Sequence, residues 1–571
     1  MNRYLVMSFI SLGIFPLFLS PTSDEKISSN YLHRTYSALF PLQQARLDSI
    51  KTEKEYLAAL RIADEKIFQN EFEAEFLLLL DKPQTLAYDS LVTLEARKTY
   101  VENYWKATNP NPLLPENDWL LDILKRRAYA RENFPAPAPP YFDDRGKYYF
   151  KYGKPAHRYE DSGGDYKSCL NCERFTTIPN ASWSYENVVH NFLVHFVKDG
   201  AVYRETENML SFYDGGKFRN PEVYPERWSA LVKLRAAASP VFGRAAAKIF
   251  ELETSRLHAT AFPNSRTALA MEWQKPESII YATFLQAQNE ILRARRECPP
   301  AAHEEINAIN KLKFSDDLAQ FRGADGMTRV EAALLSPLEK NIVKSISRSV
   351  AETLRLTCSG LVSNQKLDGI ASDDAVIQYP VKLIAAEKIS HAVGRLTFLA
   401  PPQEGDMTLQ IKDERSGKIG FTRRPLKIRD FRGQHLMLSD IQFLTEVANA
   451  NQRKILPVFT KVNTAVAPYP FEKIRPSIPL LCYFEIYNLK TAGVAEQYEI
   501  VYKVVSEKGG NQDAAISVSS TRAVSDDTAP ELIGIDLRKV PKGKHRLEIT
   551  VTARNNQRIT ASVQKEIWID D

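Results

Sequence analysis

The sequence predicts a multidomain α+β protein: an N-terminal helical region, a small helix-plus-antiparallel-sheet domain, and two C-terminal immunoglobulin-like β-sandwiches. Three observations predict it. The chain has 571 residues, and single cores stop growing near ~250–300 residues. Phe68, Phe72, Phe76 and Leu80 recur at helical spacing near the N-terminus. Past Phe314, short alternating runs separated by turn clusters replace that periodicity, which is the pattern of sandwich strands. The divisions fall at 1–23, 24–107, 108–210, 211–313, 314–450 and 451–571.

The first division reads as an export signal. Met1-Asn2-Arg3 is a short positive start, Tyr4–Ser20 is apolar and uncharged, and Pro21 breaks the run. An uncleaved anchor is the competing reading, because the run sits at the lower edge of a spanning length. Hydrophobic content of 44% and charged content of 25% are ordinary for globular domains. A net charge of +5, without any Lys/Arg run of five, argues against a nucleic-acid partner. Five cysteines cannot all pair within one chain and are too few for a disulfide scaffold.

Within 24–107, Leu42–Ile50 opens the helical pattern and Tyr56–Ile62 continues it. Lys82-Pro83 stops the phenylalanine stripe, and Leu86–Trp105 forms the next helix up to the loop Asn109-Pro-Asn-Pro112. The stripe reads as core packing. In 108–210, Glu116–Phe134 is a helix and Pro135–Pro140 a stiff polyproline spacer. Asp143-Asp144-Arg145-Gly146 is turn chemistry, and alternation of Tyr148, Phe150 and Tyr152 predicts a half-buried strand over Lys147–Tyr152. Ala181–Tyr185, Asn191–Lys198 and Ala201–Glu205 complete a small antiparallel sheet, with Asp199-Gly200 as the hairpin turn. Ser211–Pro299 returns to helix, with Ser239-Pro240 as a breaker and Ile279–Arg296 as a clear segment.

From Phe314 a hairpin is predicted at Leu318–Arg322 and Met327–Leu335. Runs at Ser349–Leu361, Val376–Ala386, Ala392–Leu399, Met407–Asp413 and Phe421–Ile428 follow, with Leu436–Ile441 closing the first sandwich. The second takes Ile478–Asn488, Glu496–Val505, Ala515–Thr521, His545–Arg554 and Ile559–Ile569.

Two groups of residues look chemical. Asp143 and Asp144, with Arg145 and the nearby Glu160 and Asp161, could bind a cation or act as acid and base; the reading that ranks first is Asp144 as a turn former or as the partner of Arg145. Cys169 and Cys172, with His157, His190 and His195 nearby, fit a local disulfide, a zinc site or two separate thiols, the disulfide ranking first in an oxidising compartment. His195 sits in an apolar strand and reads as a packed residue. G-x-S-x-G, P-loop and G-x-G-x-x-G signatures are absent from the sequence.

The chain resembles the GWxTD-domain family. The resemblance rests on Tyr104-Trp105-Lys106, Asn109-Pro-Asn-Pro112, Pro115-Glu-Asn-Asp118, Arg126–Ala130, Asn133-Phe134, Asp144-Arg-Gly146, Tyr152-Gly-Lys-Pro155 and the hairpin Phe192–Arg204. The eponymous motif aligns on Pro140–Asp144, where Asp144 matches and Tyr141 stands in place of tryptophan. The resemblance covers residues 100–205 and, more loosely, the sandwiches. It implies an exported bacterial protein of the periplasm or envelope, without a catalytic residue to carry over. The expected role is binding or scaffolding of envelope proteins or glycans, with Tyr141, Asp143, Asp144 and Arg145 as the candidate binding residues. Cofactors are not expected, zinc at Cys169 and Cys172 aside. The alternative is an envelope hydrolase or metal-dependent enzyme with its site near Asp143 and Asp144.

Overall fold

The computed structural model describes residues 50–167, 174–213, 225–263, 276–302, 312–338, 353–381, 384, 390–447, 456–471, 473–476, 480–506 and 514–570. The apolar run at the N-terminus, nearly all of Leu42–Ile50, and Cys169 with Cys172 lie outside the described residues. The protein is a mixed helix and sheet protein, helical toward the N-terminus, with many C-terminal antiparallel strands in sandwich-like sheets. It divides into two compact units. One comprises Met1–Leu94 and Ile123–Ala302, the other Glu95–Asp122 and His303–Asp571.

In the first unit, helix α1 (Glu53–Ile62) starts at Thr52, whose hydroxyl accepts from Glu55 N while Glu55 reaches back, a reciprocal capping box. The phenylalanine stripe follows as a helical run over 65–79 with a π turn at Gln69–Glu73. Phe68, Phe72 and Phe76 are buried as the spacing predicts. Lys82-Pro83 does not stop this run; Leu80 does, in extended backbone. Asp81 caps a new helix, α2 (Lys82–Asp89), with proline in its first turn, where a missing N–H costs nothing. The single helix expected over Leu86–Trp105 is therefore two, α2 and α3 (Leu94–Thr108), the second beginning at the boundary between units.

Helix α4 (Asp118–Asn133) leads into the proline segment. That segment is not an extended spacer. Pro135 bridges Phe142, Ala136 N–H donates to Tyr141 O at 3.0 Å, and Asp143 N–H donates to Phe134 O at 2.8 Å, so it doubles back on itself. The strand expected over Lys147–Tyr152 is a helix, α5 (Asp144–Tyr152). Asp143 caps its start, and Gly153, at φ 73°, ends it in a conformation that favours glycine. Gly146 has the reason a period-two reading missed: a Cβ there would sit 2.5 Å from Phe142 Cβ. Tyr148 and Tyr152 meet as an i, i+4 pair with ring centroids 6.0 Å apart.

Strands β1 (His157–Asp161), β2 (Gly164–Lys167), β3 (Arg174–Thr177), β4 (Asn180–Ser184), β5 (Leu193–Asp199) and β6 (Val202–Thr206) follow. β2 pairs with β3, and the other four form an antiparallel sheet in the order β1-β4-β5-β6. Helices α6 (Pro225–Leu234), α7 (Pro240–Ala261) and α8 (Pro276–Glu297) cover one side; Leu231, Phe242, Ile249 and Ile291 share a core with Leu193 and Phe212. Ser239 caps α7, so the predicted break lies between α6 and α7. Among the described residues no helix is long and apolar enough to cross a membrane.

The second unit opens its strand series with β7 (Ser315–Arg322), β8 (Thr328–Pro337), β9 (Thr353–Asn364), β10 (Gly369–Pro380), β11 (His391–Ala400), β12 (Glu404–Asp413) and β13 (Ile419–Lys427). Sheets β10-β9-β12-β13 and β11-β8-β7 pack on each other through Val330, Leu334, Leu356, Cys358, Phe398 and Leu409. The second series is β14 (Met437–Leu438), β15 (Gln442–Glu446), β16 (Phe459–Lys461), β17 (Thr464–Pro468), β18 (Lys473–Ile474), β19 (Leu480–Tyr487), β20 (Gln497–Ser506), β21 (Ala514–Ala523), β22 (Thr528–Ile535), β23 (Gly543–Ala553) and β24 (Thr560–Ile569). Five of these run β18-β24-β23-β20-β21; the remainder assemble around β19. Leu436–Ile441 does not close the first sandwich. Met437 and Leu438 pair with β19, and Leu436, Leu438 and Ile441 enter the second core.

Candidate functional site

The predicted site residues Tyr141, Asp143, Asp144 and Arg145 do come together, between α4, α5 and β6. Asp143 is buried, its side chain 1% exposed. Its Oδ1 accepts from Arg145 N–H at 3.0 Å and Gly146 N–H at 3.3 Å, the N-cap bonds of α5. Its Oδ2 accepts from Tyr203 N–H at 3.0 Å and pairs with Arg145 Nη2 at 2.8 Å. Asp144 accepts from Glu205 N–H at 2.8 Å and pairs with Lys147, also at 2.8 Å. Arg145 lies over the Tyr203 ring, 3.6 Å from its centroid, and over Phe134 at 5.1 Å.

The geometry has one clear result. β6 is the last strand of its sheet, and Tyr203 and Glu205, two residues apart, send their N–H groups to the same side. The two carboxylates take both groups, so side chains do for this edge what a further strand would do. Each carboxylate thereby holds backbone in place. Tyr141 is buried at φ 70°, with the Arg131 guanidinium 5.3 Å from its ring centroid. Burial, then the nearby Glu71, pushes its phenol up to about 12, against the pull of Arg131. Arg131 itself pairs with Glu71 at 2.9 Å and Glu75 at 2.7 Å. Asp161 is engaged by Gly163 N–H at 2.8 Å and by Thr177 and Asn180. Two surface hollows, of about 480 and 400 Å³, open in the second unit; neither is lined by Tyr141, Asp143, Asp144 or Arg145.

Other residues behind the family resemblance also hold backbone. Asn117 caps α4 and donates to Trp105 O at 2.7 Å. Asn111 Oδ1 accepts from Leu113 N–H at 3.2 Å, and its Nδ2 donates to Gln410 Oε1 at 2.6 Å. Arg126 donates to Lys151 O at 3.0 Å and to Ala302 O at 2.8 Å, and a Cβ on Gly153 would lie 3.2 Å from its Cζ.

The histidines do not converge. His190 pairs with Glu186 at 2.8 Å on the surface, and His195 is buried. Among the described residues no three His, Cys, Asp or Glu side chains are placed to hold a metal ion. His195 Nδ1 lies 3.0 Å from Ser182 Oγ, which accepts from Arg235 Nε at 3.1 Å. Phe242 stacks on the His195 ring at 5.7 Å. Burial, then Arg295 and Arg235, holds its pKa well below the usual imidazole range. A histidine depressed in the folded state binds its proton more readily when unfolded. Stability should be full above the unfolded value of ~6.5 and fall as pH drops below it, by at most about 1.4 kcal/mol per pH unit. Melting temperatures between neutral and mildly acidic pH check this, and His195→Gln should flatten the slope.

A second cluster of charge escaped the sequence reading. Glu331, on β8 and 2% exposed, faces Arg329 Nε at 3.1 Å, Arg395 at 3.2 Å and Lys461 at 3.2 Å, and accepts from Gln442 at 3.0 Å. Arg329 also reaches Glu485 at 2.7 Å, which accepts from the Tyr483 and Tyr487 hydroxyls at 2.7 Å each. These residues link β8 and β11 with β15, β16 and β19. The signal was present: Arg329 and Glu331 are two charges inside an otherwise apolar strand.

The fold and this site define an α+β protein with sandwich-like sheets and a side-chain-sealed sheet edge. No protein-family model matches the sequence, and no curated protein does. Among solved structures, 50% of the chain is similar to 34% of a transglutaminase from red sea bream, at 6% identity and a TM-score of 0.16. It is similar over 42% of its length to 26% of a β-glucuronidase from Bacteroides uniformis, at 7% identity and a TM-score of 0.16. It is also similar over 47% to 21% of dimeric latent PorU from Porphyromonas gingivalis, at 11% identity and a TM-score of 0.18. The chain thus spans about a third or less of these proteins, and at such TM-scores the likeness carries no argument about fold or function.

Proposed function

We propose that the protein is an exported, non-enzymatic component of a bacterial cell envelope that binds other envelope proteins or glycans. The observation that carries the reading is that Asp143 and Asp144 are both engaged in holding the β6 edge. Both oxygens of Asp143 are committed to backbone N–H groups and to Arg145, and in either carboxylate the oxygen that takes a β6 N–H would have to release it to act as base, acid or cation ligand. The resemblance to the GWxTD-domain family supports the same reading, since Asn111, Asn117, Arg126, Asp144 and Gly153 serve architecture. The sandwich-like sheets of the second unit, read as immunoglobulin-like modules, supply the contact surfaces.

The test is cross-linking of the tagged protein in fractionated envelopes, with mass spectrometry of its partners and of the mature chain. A reproducible envelope partner, retained by Asp144→Asn, with the chain trimmed after Tyr4–Ser20, is the expected result. A partner-free monomer that turns over an envelope polymer, and loses that activity in a folded Asp144→Asn variant, would sink the proposal.

A further inference from the structure

The smaller hollow in the second unit, of about 400 Å³, lies in the size range of small-molecule sites. Three of its wall positions are glycines: Gly323, Gly326 and Gly433. A Cβ on Gly326 would come within 3.2 Å of Arg432 Cδ, and one on Gly433 within 2.9 Å of the His435 ring. The wall also carries Arg322, at the end of β7, and Asn488, just past β19.

These two side chains hold each other in place. Asn488 is buried and sits at φ 65°. Its Nδ2 donates to Gly433 O and to His435 O at 2.7 Å each, which turns Oδ1 toward Arg322 Nη2, also at 2.7 Å. Arg322 Nε donates to Phe431 O at 3.2 Å, and the guanidinium lies 4.4 Å from the Tyr487 ring centroid. All of these partners are neutral. Among the described residues Arg322 pairs with no carboxylate, and its Nη1 makes no hydrogen bond. The acids nearby are engaged elsewhere or stand apart. Asp430 pairs with Arg432 at 2.7 Å, Asp527 accepts from Thr491 N–H at 2.9 Å, and Asp325, in the β7–β8 turn, does not line the hollow. A guanidinium fork fixed on one side, with its charge unanswered, is suited to an oxyanion. Gln434 and Thr491 line the same hollow, both exposed, and among the described residues their side chains make no hydrogen bond. An amide and a hydroxyl there match the hydroxyls of a sugar ring.

We infer that this hollow binds an acidic sugar, with Arg322 receiving its carboxylate and Gln434 and Thr491 its ring hydroxyls. This rests on the binding reading above and chooses its glycan side. The probe is sodium glucuronate, titrated calorimetrically into the full-length protein at constant ionic strength. Glucose, sodium acetate and inorganic phosphate are the controls. Glucuronate should bind at least about tenfold more tightly than any of them. Arg322→Lys keeps the charge but loses the planar fork, and should weaken binding about tenfold. Thr491→Trp crowds the hollow without removing a side-chain hydrogen bond. It should abolish binding at an unchanged melting temperature, so the test stands even where Arg322→Lys loosens the loop. Glucuronate binding no tighter than glucose, or full binding by Thr491→Trp, overturns the inference. So does equal binding of acetate or phosphate, because the site then takes any small anion. Displacement of glucuronate by tetraglutamate at lower concentration than by unlabelled sugar also overturns it, because the partner is then an acidic peptide. Failure of glucuronate to bind, with envelope partners still captured by cross-linking, removes this site and leaves the binding reading intact. Glucuronate binding by a protein that also turns over an envelope polymer sustains the site and sinks the non-enzymatic reading.

Discussion

Asp143→Ala should destabilise the first unit by about 3–5 kcal/mol, the scale for breaking a buried, hydrogen-bonded ion pair. One carboxylate caps α5, seals part of the β6 edge and neutralises Arg145. Its removal leaves Arg145 between Phe134 and Tyr203 without its counter-ion, and leaves Tyr203 N–H and the first turn of α5 without their acceptor. Arg145→Ala should cost less, because Asp143 would keep its three backbone donors and Arg145 is more exposed than Asp143. Asp143→Asn should fall between wild type and alanine, keeping an acceptor but no charge. Urea unfolding monitored by tryptophan fluorescence gives the order. An Asp143→Ala midpoint equal to wild type would show that the joint does not hold the sheet.

Glu331→Gln should have a comparable effect in the second unit, about 3–5 kcal/mol. The change is nearly isosteric, so packing is preserved and the loss is electrostatic. Arg329, Arg395 and Lys461 would face one another with Glu485 as the remaining anion of the cluster. Burial pushes the Glu331 carboxyl up, but Lys461, Arg395, Gln442 and Arg329 together outweigh it, and the net shift is downward. A carboxyl depressed in the folded state stabilises above its unfolded value of ~4.3 and loses that contribution as pH falls through the folded value. Wild type should therefore lose stability in acid more steeply than Glu331→Gln. Denaturant midpoints at neutral and acidic pH measure both effects. Replacing the whole cluster by apolar residues of similar volume is a different experiment, and such swaps are often neutral.

What the sequence made legible follows from which signals are local. The Phe68–Phe76 stripe and the runs that became β11, β20 and β23 carry their own periodicity, and each lies where its pattern places it. Residues 147–152 show the limit. Tyr148, Phe150 and Tyr152 alternate, but the bracketing Asp143 cap and Gly153 terminus decide the conformation, because a helix packed on several sides has aromatic residues all round. The strands β14 to β18 and β22 were missed because β14 to β18 are only two to five residues long, and β14, β18 and β22 pair some forty or more positions away. At the candidate site, the residue types were legible. Their roles were not, because those depend on Tyr203 and Glu205, some sixty positions away.

The first unit is not one continuous stretch of chain: it stops at Leu94 and resumes at Ile123. Residues 95–122 belong with the C-terminal half, where Asn111 meets Gln410 and Arg423 donates to Asn109 O at 2.7 Å. During synthesis the end of helix α3 therefore leaves the ribosome about three hundred residues ahead of Arg423, which donates to Ala107 O. Domains usually mature in order of emergence, and here the first unit is complete by Ala302 while residues 95–122 still await the rest of the second. Residues 95–122 therefore lack their Gln410 and Arg423 partners for about three hundred residues of synthesis, the interval in which a chaperone's hold on the nascent chain would matter most.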